Sequence, residues 1–194
     1  MGREFELKFR ADAAAIDKIQ KKYGCFISIS METAYYDTPD RKLSGNRQTL
    51  RRRMENDVSV CTFKCPHSLG GRGEWEVEAA SIEAGIPALC KAGAGEELAQ
   101  ITAGGLMEVC SARFTRLAKT LEVPGGTVEL ALDRGVLIGK GRELPFAEVE
   151  VELQSGPDQA AVAFAETLAA EYGLTEEPRS KFARAMALAM MSPR

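Results

Sequence analysis

Charged and apolar residues alternate strictly from Glu4 to Phe9, with Glu4, Glu6 and Lys8 on one side and Phe5, Leu7 and Phe9 on the other. A period of two predicts a β-strand. The same alternation returns along the chain and predicts strands over about 25–37, 49–55, 58–65, 72–78, 112–123, 127–133, 136–139 and 146–153. The last is the clearest, because Glu148, Glu150 and Glu152 interleave with Val149, Val151 and Leu153. Thr38-Pro39-Asp40, Asn56-Asp57, Pro124-Gly125-Gly126, Asp133-Arg134-Gly135 and Gly139-Lys140-Gly141 supply the reversals. Asp12 is the expected N-cap of a helix to about Lys22, burying Ala15, Ile16, Ile19 and Tyr23 and ended by Gly24. A second long helix opens at Pro157 and stops before Gly173, and a third runs from a Ser180 cap through about Met190. Residues 80–111, rich in Ala, Gly and Leu, predict short helices over about 82–91 and 95–103 with a break at Gly104-Gly105. No chemistry is assigned to them.

About eight strands, mostly joined as hairpins and accompanied by a few helices, predict the α+β class. The expected architecture is an eight-stranded antiparallel β-barrel forming a tunnel, with helices packed outside, as one domain over residues 1–194. On an ordinary half-buried strand the charged face meets water. Two features of this chain argue for the lumen instead. The amphipathic helices need an apolar outer surface to dock on, and the charged rows are nearly uniform in sign within a strand: acidic in Glu74, Glu76 and Glu78 and again in Glu148, Glu150 and Glu152, basic in Arg51 and Arg53, whose row ends in Glu55. Like charges cannot be buried without partners. Such a lumen must hold water, cations and an anion. Carboxylates two residues apart suit the hard cations Mg²⁺ or Mn²⁺, and lysine and arginine suit a chain of phosphates.

Composition narrows the field. The 194 residues are 45% apolar and 27% charged with a formal net charge of −3. No global basic field points to nucleic acid or an anionic membrane as a partner. No apolar run approaches the roughly 20 residues of a membrane helix, and the charged N-terminus lacks a secretory core. The cysteines, Cys25, Cys61, Cys65, Cys90 and Cys110, are odd in number and lack zinc-ribbon spacing, so free thiols in a reducing cytoplasm are expected. His67 is the only histidine, which excludes a multi-histidine metal site. The Gly-rich stretch from Ser68 to Gly73 lacks the ending of a phosphate-binding P-loop and precedes a strand, so it reads as a connection.

The motifs then resemble a known family. Glu4-x-Glu6-x-Lys8 is similar to the ExExK signature of the CYTH superfamily, the triphosphate tunnel metalloenzymes. Tyr35-Tyr36-Asp37-Thr38-Pro39 followed by Leu50-Arg51-Arg52-Arg53 looks like its YYDTP…LRxR. Lys64, the stretch Arg72-Gly73-Glu74-Trp75-Glu76, the strand from Glu129 to Asp133, the strand from Glu148 to Glu152, and Ser180-Lys181 with Arg184 follow in the family's order. Residues 80–111 match least. The resemblance implies metal ligands at Glu4, Glu6, Glu148 and Glu150, with Glu152 and Asp133 as ligands or close neighbours. It implies phosphate binding by Lys8, Arg51, Arg53, Lys64, Arg116, Lys181 and Arg184, and a tunnel wall completed by Glu74, Glu76 and Glu129. Arg52, Arg113 and Lys119 fall off the main face.

The implied reaction is metal-dependent attack of water on a terminal phosphorus of a small triphosphate, with Mg²⁺ or Mn²⁺ as cofactor and no protein nucleophile. The segments resemble most the bacterial inorganic triphosphatases of the YgiF type, and no C-terminal CHAD domain is expected. Class IV adenylate cyclase, thiamine triphosphatase and RNA triphosphatase use the same scaffold. A non-catalytic polyphosphate- or nucleotide-binding module ranks lower, since it could dispense with the acidic strands. An apolar-lumen carrier is excluded by those charges. Barrels of this kind could pair through an outer face, so a homodimer stays open.

Overall fold

The protein is described from a computed structural model covering residues 5–66 and 72–191. Its strands are β1 (Glu6–Arg10), β2 (Ile27–Asp37), β3 (Thr49–Glu55), β4 (Val58–Pro66), β5 (Arg72–Glu78), β6 (Met107–Val123), β7 (Gly126–Gly139), β8 (Arg142–Ser155) and β9 (Thr175–Glu176). The helices are α1 (Ala13–Tyr23), α2 (Lys42–Gly45), α3 (Ile82–Leu89), α4 (Glu96–Thr102), α5 (Asp158–Tyr172) and α6 (Lys181–Met190), with a kinked turn Cys90–Ala94 between α3 and α4 where Gly93 has φ +113°. The strands form one sheet in the order β5-β4-β3-β2-β6-β7-β8-β1-β9. The antiparallel α+β expectation holds. The expected strands 127–133 and 136–139 run together as β7 and a short β9 is added, and the hydrogen-bonded order runs linearly from β5 to β9 among the described residues, without the closure of the expected barrel.

Two compact units divide the chain: residues 1–30, 114–136 and 144–180 in one, and 31–113, 137–143 and 181–194 in the other. In the first, α1 and α5 cover one face of the sheet. Ile16, Ile19, Ala161, Ala165 and Leu168 meet Phe9, Val128, Leu130, Leu132, Val149 and Val151 in a single core. Each buried Val, Leu or Ile there contributes about 1.5–3 kcal/mol. Asp12 caps α1 as expected, its Oδ1 accepting from Ala15 N at 2.7 Å. Lys119 serves the other end of α1, its Nζ donating to Tyr23 O at 2.6 Å and Gly24 O at 2.9 Å.

In the second unit, α3 and α4 lie on β3, β4 and β5. Leu50, Cys61, Phe63, Ile82, Leu89 and Leu98 form its core, with Trp75 stacked on Phe63 at 6.0 Å between ring centroids. Residues 80–111 thereby cover an apolar sheet face. Their small residues follow from close approach: a Cβ on Gly85 would meet Cys61 Sγ at 2.6 Å.

Several elements depart from the sequence expectation. The reversal expected at Asp133-Arg134-Gly135 does not occur, and β7 runs straight through it. Burial of Leu132 and Leu137 in the extended strand outweighs the turn chemistry of these residues. Strand β6 begins at Met107, soon after Gly105 leaves α4 with φ +101°. Helix α2 forms because Asp37 accepts from the backbone N–H groups of Thr38, Leu43 and Ser44 at 2.8–3.2 Å. Strand β9 is too short for any periodicity. All five cysteines are free thiols, and no helix among the described residues is long and apolar enough to cross a membrane.

Candidate metal and phosphate sites

Register builds the acidic site of the first unit. Strand β1 pairs with β8 so that Glu6 lies opposite Glu152, Lys8 opposite Glu150 and Arg10 opposite Glu148, while Leu7 and Phe9 lie opposite Val151 and Val149. Cross-strand partners share a face. The expected ionic row is therefore one continuous face, and the apolar row beside it is the core under α1 and α5. The middle of the ionic face is withdrawn from water, since Glu148 is wholly buried, Glu150 is 7% exposed and, on β7, Asp133 is wholly buried, while Glu6 and Arg10 at the two ends of β1 are exposed.

Asp133, Glu148 and Glu150 each place a carboxylate oxygen within 4.8 Å of the others. Arg116 of β6 enters this cluster. Its Nε donates to Asp133 Oδ1 and its Nη2 to Asp133 Oδ2, both at 2.8 Å, and Nη2 also donates to Glu150 Oε2. Burial pulls the Arg116 pKa down, but the hydrogen bond to Asp133 and the negative charges of Glu150, Asp133 and Glu6 more than offset it and raise it above its ordinary value. Three carboxylates this close repel one another unless cations sit among them. The donor set is all oxygen, which fits a hard divalent ion.

Of the six expected metal ligands, the structure gathers Asp133, Glu148 and Glu150 in one cluster. Glu6 and Glu152 oppose each other farther along the same face. Glu4 lies outside the described residues. Glu129 is half-buried on the same side of β7 as Asp133. Phe146, two residues before Glu148, packs edge-on against Phe114, two residues before Arg116, at 5.7 Å between centroids. An aromatic pair thus adjoins the ionic row.

The second unit carries most of the expected phosphate-binding bases. Register places Tyr35, Arg51, Thr62 and Glu76 in one row across β2 to β5, and Thr33, Arg53 and Val60 in the next. Lys64 Nζ meets Glu74 Oε2 at 2.8 Å, Thr62 donates to Glu76 at 3.1 Å, and Arg53 Nε donates to Thr33 Oγ1 at 3.1 Å. Arg51 Nε is buried with no hydrogen-bond acceptor among the described residues. Helix α6 packs Phe182 against Tyr35 at 5.2 Å and carries Lys181 and Arg184, each only 7% exposed. Spacing of three sets that pair on one helix face.

Three basic residues serve other ends. Arg52 donates to Ser59 Oγ at 2.8 Å on the opposite face. Arg113 makes an exposed pair with Glu143, and Lys119 caps α1. Sequence reading did not single out Glu177, whose buried carboxylate is gripped by Arg10 and Arg179. No periodicity marks it.

Residues 2–186 match the CYTH domain family. An inorganic triphosphatase from Haemophilus influenzae is 28% identical over 159 residues, covering 81% of this chain and 45% of that protein. The chain thus spans about half the length of that curated relative. Among solved structures, a candidate adenylate cyclase from Bacillus halodurans superposes with a TM-score of 0.69 at 18% identity, over 91% of this chain and 93% of its own. The candidate adenylyl cyclase HpAC1 from Hippeastrum, described with a dominant triphosphatase activity, gives 0.70 at 19% identity over 97% of each chain.

Proposed function

Because the chain belongs to the CYTH domain family, we propose that it hydrolyses inorganic triphosphate to pyrophosphate and phosphate with the help of Mg²⁺ or Mn²⁺. The observation that supports this reading best is the buried carboxylate cluster of Asp133, Glu148 and Glu150 on the face shared by Lys8. A binding module would have no need to bury three acids together, since cations alone hold phosphate.

In this reading Asp133, Glu148 and Glu150 hold the metal, with Glu4, Glu6 and Glu152 as further ligands or water-mediated neighbours. Bound there, the ion would neutralise triphosphate oxygens and activate water. Lys8, Arg51, Arg53, Lys64, Arg116, Lys181 and Arg184 are assigned to phosphate oxygens, as the family resemblance implies. Guanidinium and ammonium groups fixed in advance stabilise the charge that develops on the transferring group and on the leaving pyrophosphate. Glu74 and Glu76 hold Lys64 and Thr62 in place, and Glu129 extends the acidic wall. The whole chain is read as one functional domain of a reducing cytoplasm, in keeping with its free thiols.

The test is product analysis on inorganic triphosphate, ATP and thiamine triphosphate with Mg²⁺ and with Mn²⁺, together with a cyclic-AMP readout. Phosphate release fastest from inorganic triphosphate supports the reading. Cyclic AMP as the main product from ATP would make the chain a cyclase on the same scaffold. Tight binding of all three without turnover would make it a binding module. Lys8→Ala is expected to abolish turnover with the fold retained, checked by circular dichroism beside the phosphate assay.

A further inference from the structure

Both oxygens of Asp133 are engaged by the fork of Arg116, and the same Nη2 reaches Glu150. The Arg116 side chain is 15% exposed and that of Asp133 wholly buried, so this pair does not exchange with bulk water as a surface ion pair does. A side-on fork takes up the syn lone pair on each oxygen of the carboxylate, the positions that a hard cation bound by both oxygens also seeks. The arginine cannot yield by losing its proton, because a guanidinium stays charged. A divalent ion among Asp133, Glu148 and Glu150 would also sit beside a fixed positive charge. One of the two must give way.

We propose that Arg116 and the divalent metal are alternative counter-ions of Asp133, so that metal binding draws the guanidinium off this carboxylate and turns it toward the phosphate anion. The proposal rests on the metal-dependent reading above. It makes Arg116 a phosphate-binding residue whose release couples the order of binding: metal first, then a phosphate chain that finds a freed guanidinium. Without the arginine the acids would repel one another in the metal-free protein. With it they are held together, at the cost of weaker metal affinity.

The test uses the full chain and the metal alone. Calorimetry gives the affinity for Mn²⁺ and Mg²⁺ of the wild type, Arg116→Met and Arg116→Lys. In parallel, the side-chain Nε–H signals of the ¹⁵N-arginine-labelled wild type are followed through a Mg²⁺ titration, with Arg116→Lys identifying the Arg116 signal. The expected result is tighter metal binding by Arg116→Met, on the order of tenfold as for other coupled sites, and an Arg116 signal that moves with the same midpoint as the heat of binding. Damage to the fold would weaken binding, so a gain in affinity is not a structural side effect. Equal or weaker affinity in a folded Arg116→Met, or an Arg116 signal unmoved while Mg²⁺ binds, overturns the proposal and leaves the functional reading standing. Absence of metal binding to the wild type overturns that reading and this inference with it. Should Arg116→Met not fold, the signal in the wild-type chain decides.

Discussion

Glu177 is 1% exposed, yet it is an acid. It is kept ionised by arginines from two parts of the chain: Arg179 donates from Nε at 3.1 Å and from its backbone N–H at 3.1 Å, and Arg10 donates from Nε at 2.6 Å. The bond from Arg179 lowers its pKa most; burial opposes this and Arg10 adds to it, leaving the carboxyl at about 2 against an ordinary 4.5. A depressed carboxyl stabilises the fold above its unfolded pKa, and that contribution is lost as pH falls through the folded one. Wild type should therefore be more stable than Glu177→Gln above about pH 4.5, and the two should converge as pH falls toward about 2. Thermal unfolding of both across this range checks it. A gap in melting temperature that stays constant with pH contradicts it. The same logic governs the acidic cluster, where Glu150→Gln keeps the shape of the side chain and removes one charge that Arg116 and a metal both use. Its Mn²⁺ affinity should fall by more than the roughly 10–100-fold that follows loss of a residue behind a metal ligand, with the circular dichroism spectrum unchanged. Calorimetry reads this directly.

Among the elements, α6 depends on a close approach that only glycine allows. A Cβ on Gly139 would stand 2.5 Å from Ala185 O and 2.5 Å from Ala189 N, both backbone atoms of the helix. Gly139→Ala should destabilise the protein by about 1–3 kcal/mol and loosen the helix that carries Lys181 and Arg184. Urea unfolding measures the first, and amide exchange along α6 measures the second. Little of this contact was legible in the sequence, since a glycine before Lys140 reads equally well as a turn. What was legible is whatever repeats with a period. Strand β3 has the expected bounds, α1 has its expected cap, and the ionic and apolar rows of β1 and β8 fall on the faces that alternation assigned. Residues escaped when their role is set by a partner far along the chain. Asp133-Arg134-Gly135 reads as a reversal until Arg116, 17 positions earlier, holds Asp133 in an extended strand. Glu177 finds Arg10 across 167 positions, and Asp37 is used by the backbone of a helix that has no pattern of its own.

At the scale of the whole molecule, the sheet of the first unit buries residues on both of its faces, and the two burials differ in kind. One is apolar and holds without help. The other is ionic and is worth its desolvation only if something charged binds there. A ligand that binds the folded state alone raises stability by mass action, about 2.7 kcal/mol at a hundredfold excess over its Kd. Mg²⁺ should therefore raise the melting temperature of the wild type, chelation should reverse this, and Glu150→Gln should respond less at the same concentration. An equal response in both would place the ion elsewhere. The most direct test of the buried acidic face as the seat of the reaction is steady-state phosphate release from inorganic triphosphate over a Mg²⁺ titration, with wild type beside Glu148→Gln. The account predicts metal-dependent release by the wild type and a loss on the order of a hundredfold or more in the folded variant. Release by Glu148→Gln at the wild-type rate, with the same dependence on Mg²⁺, would contradict it.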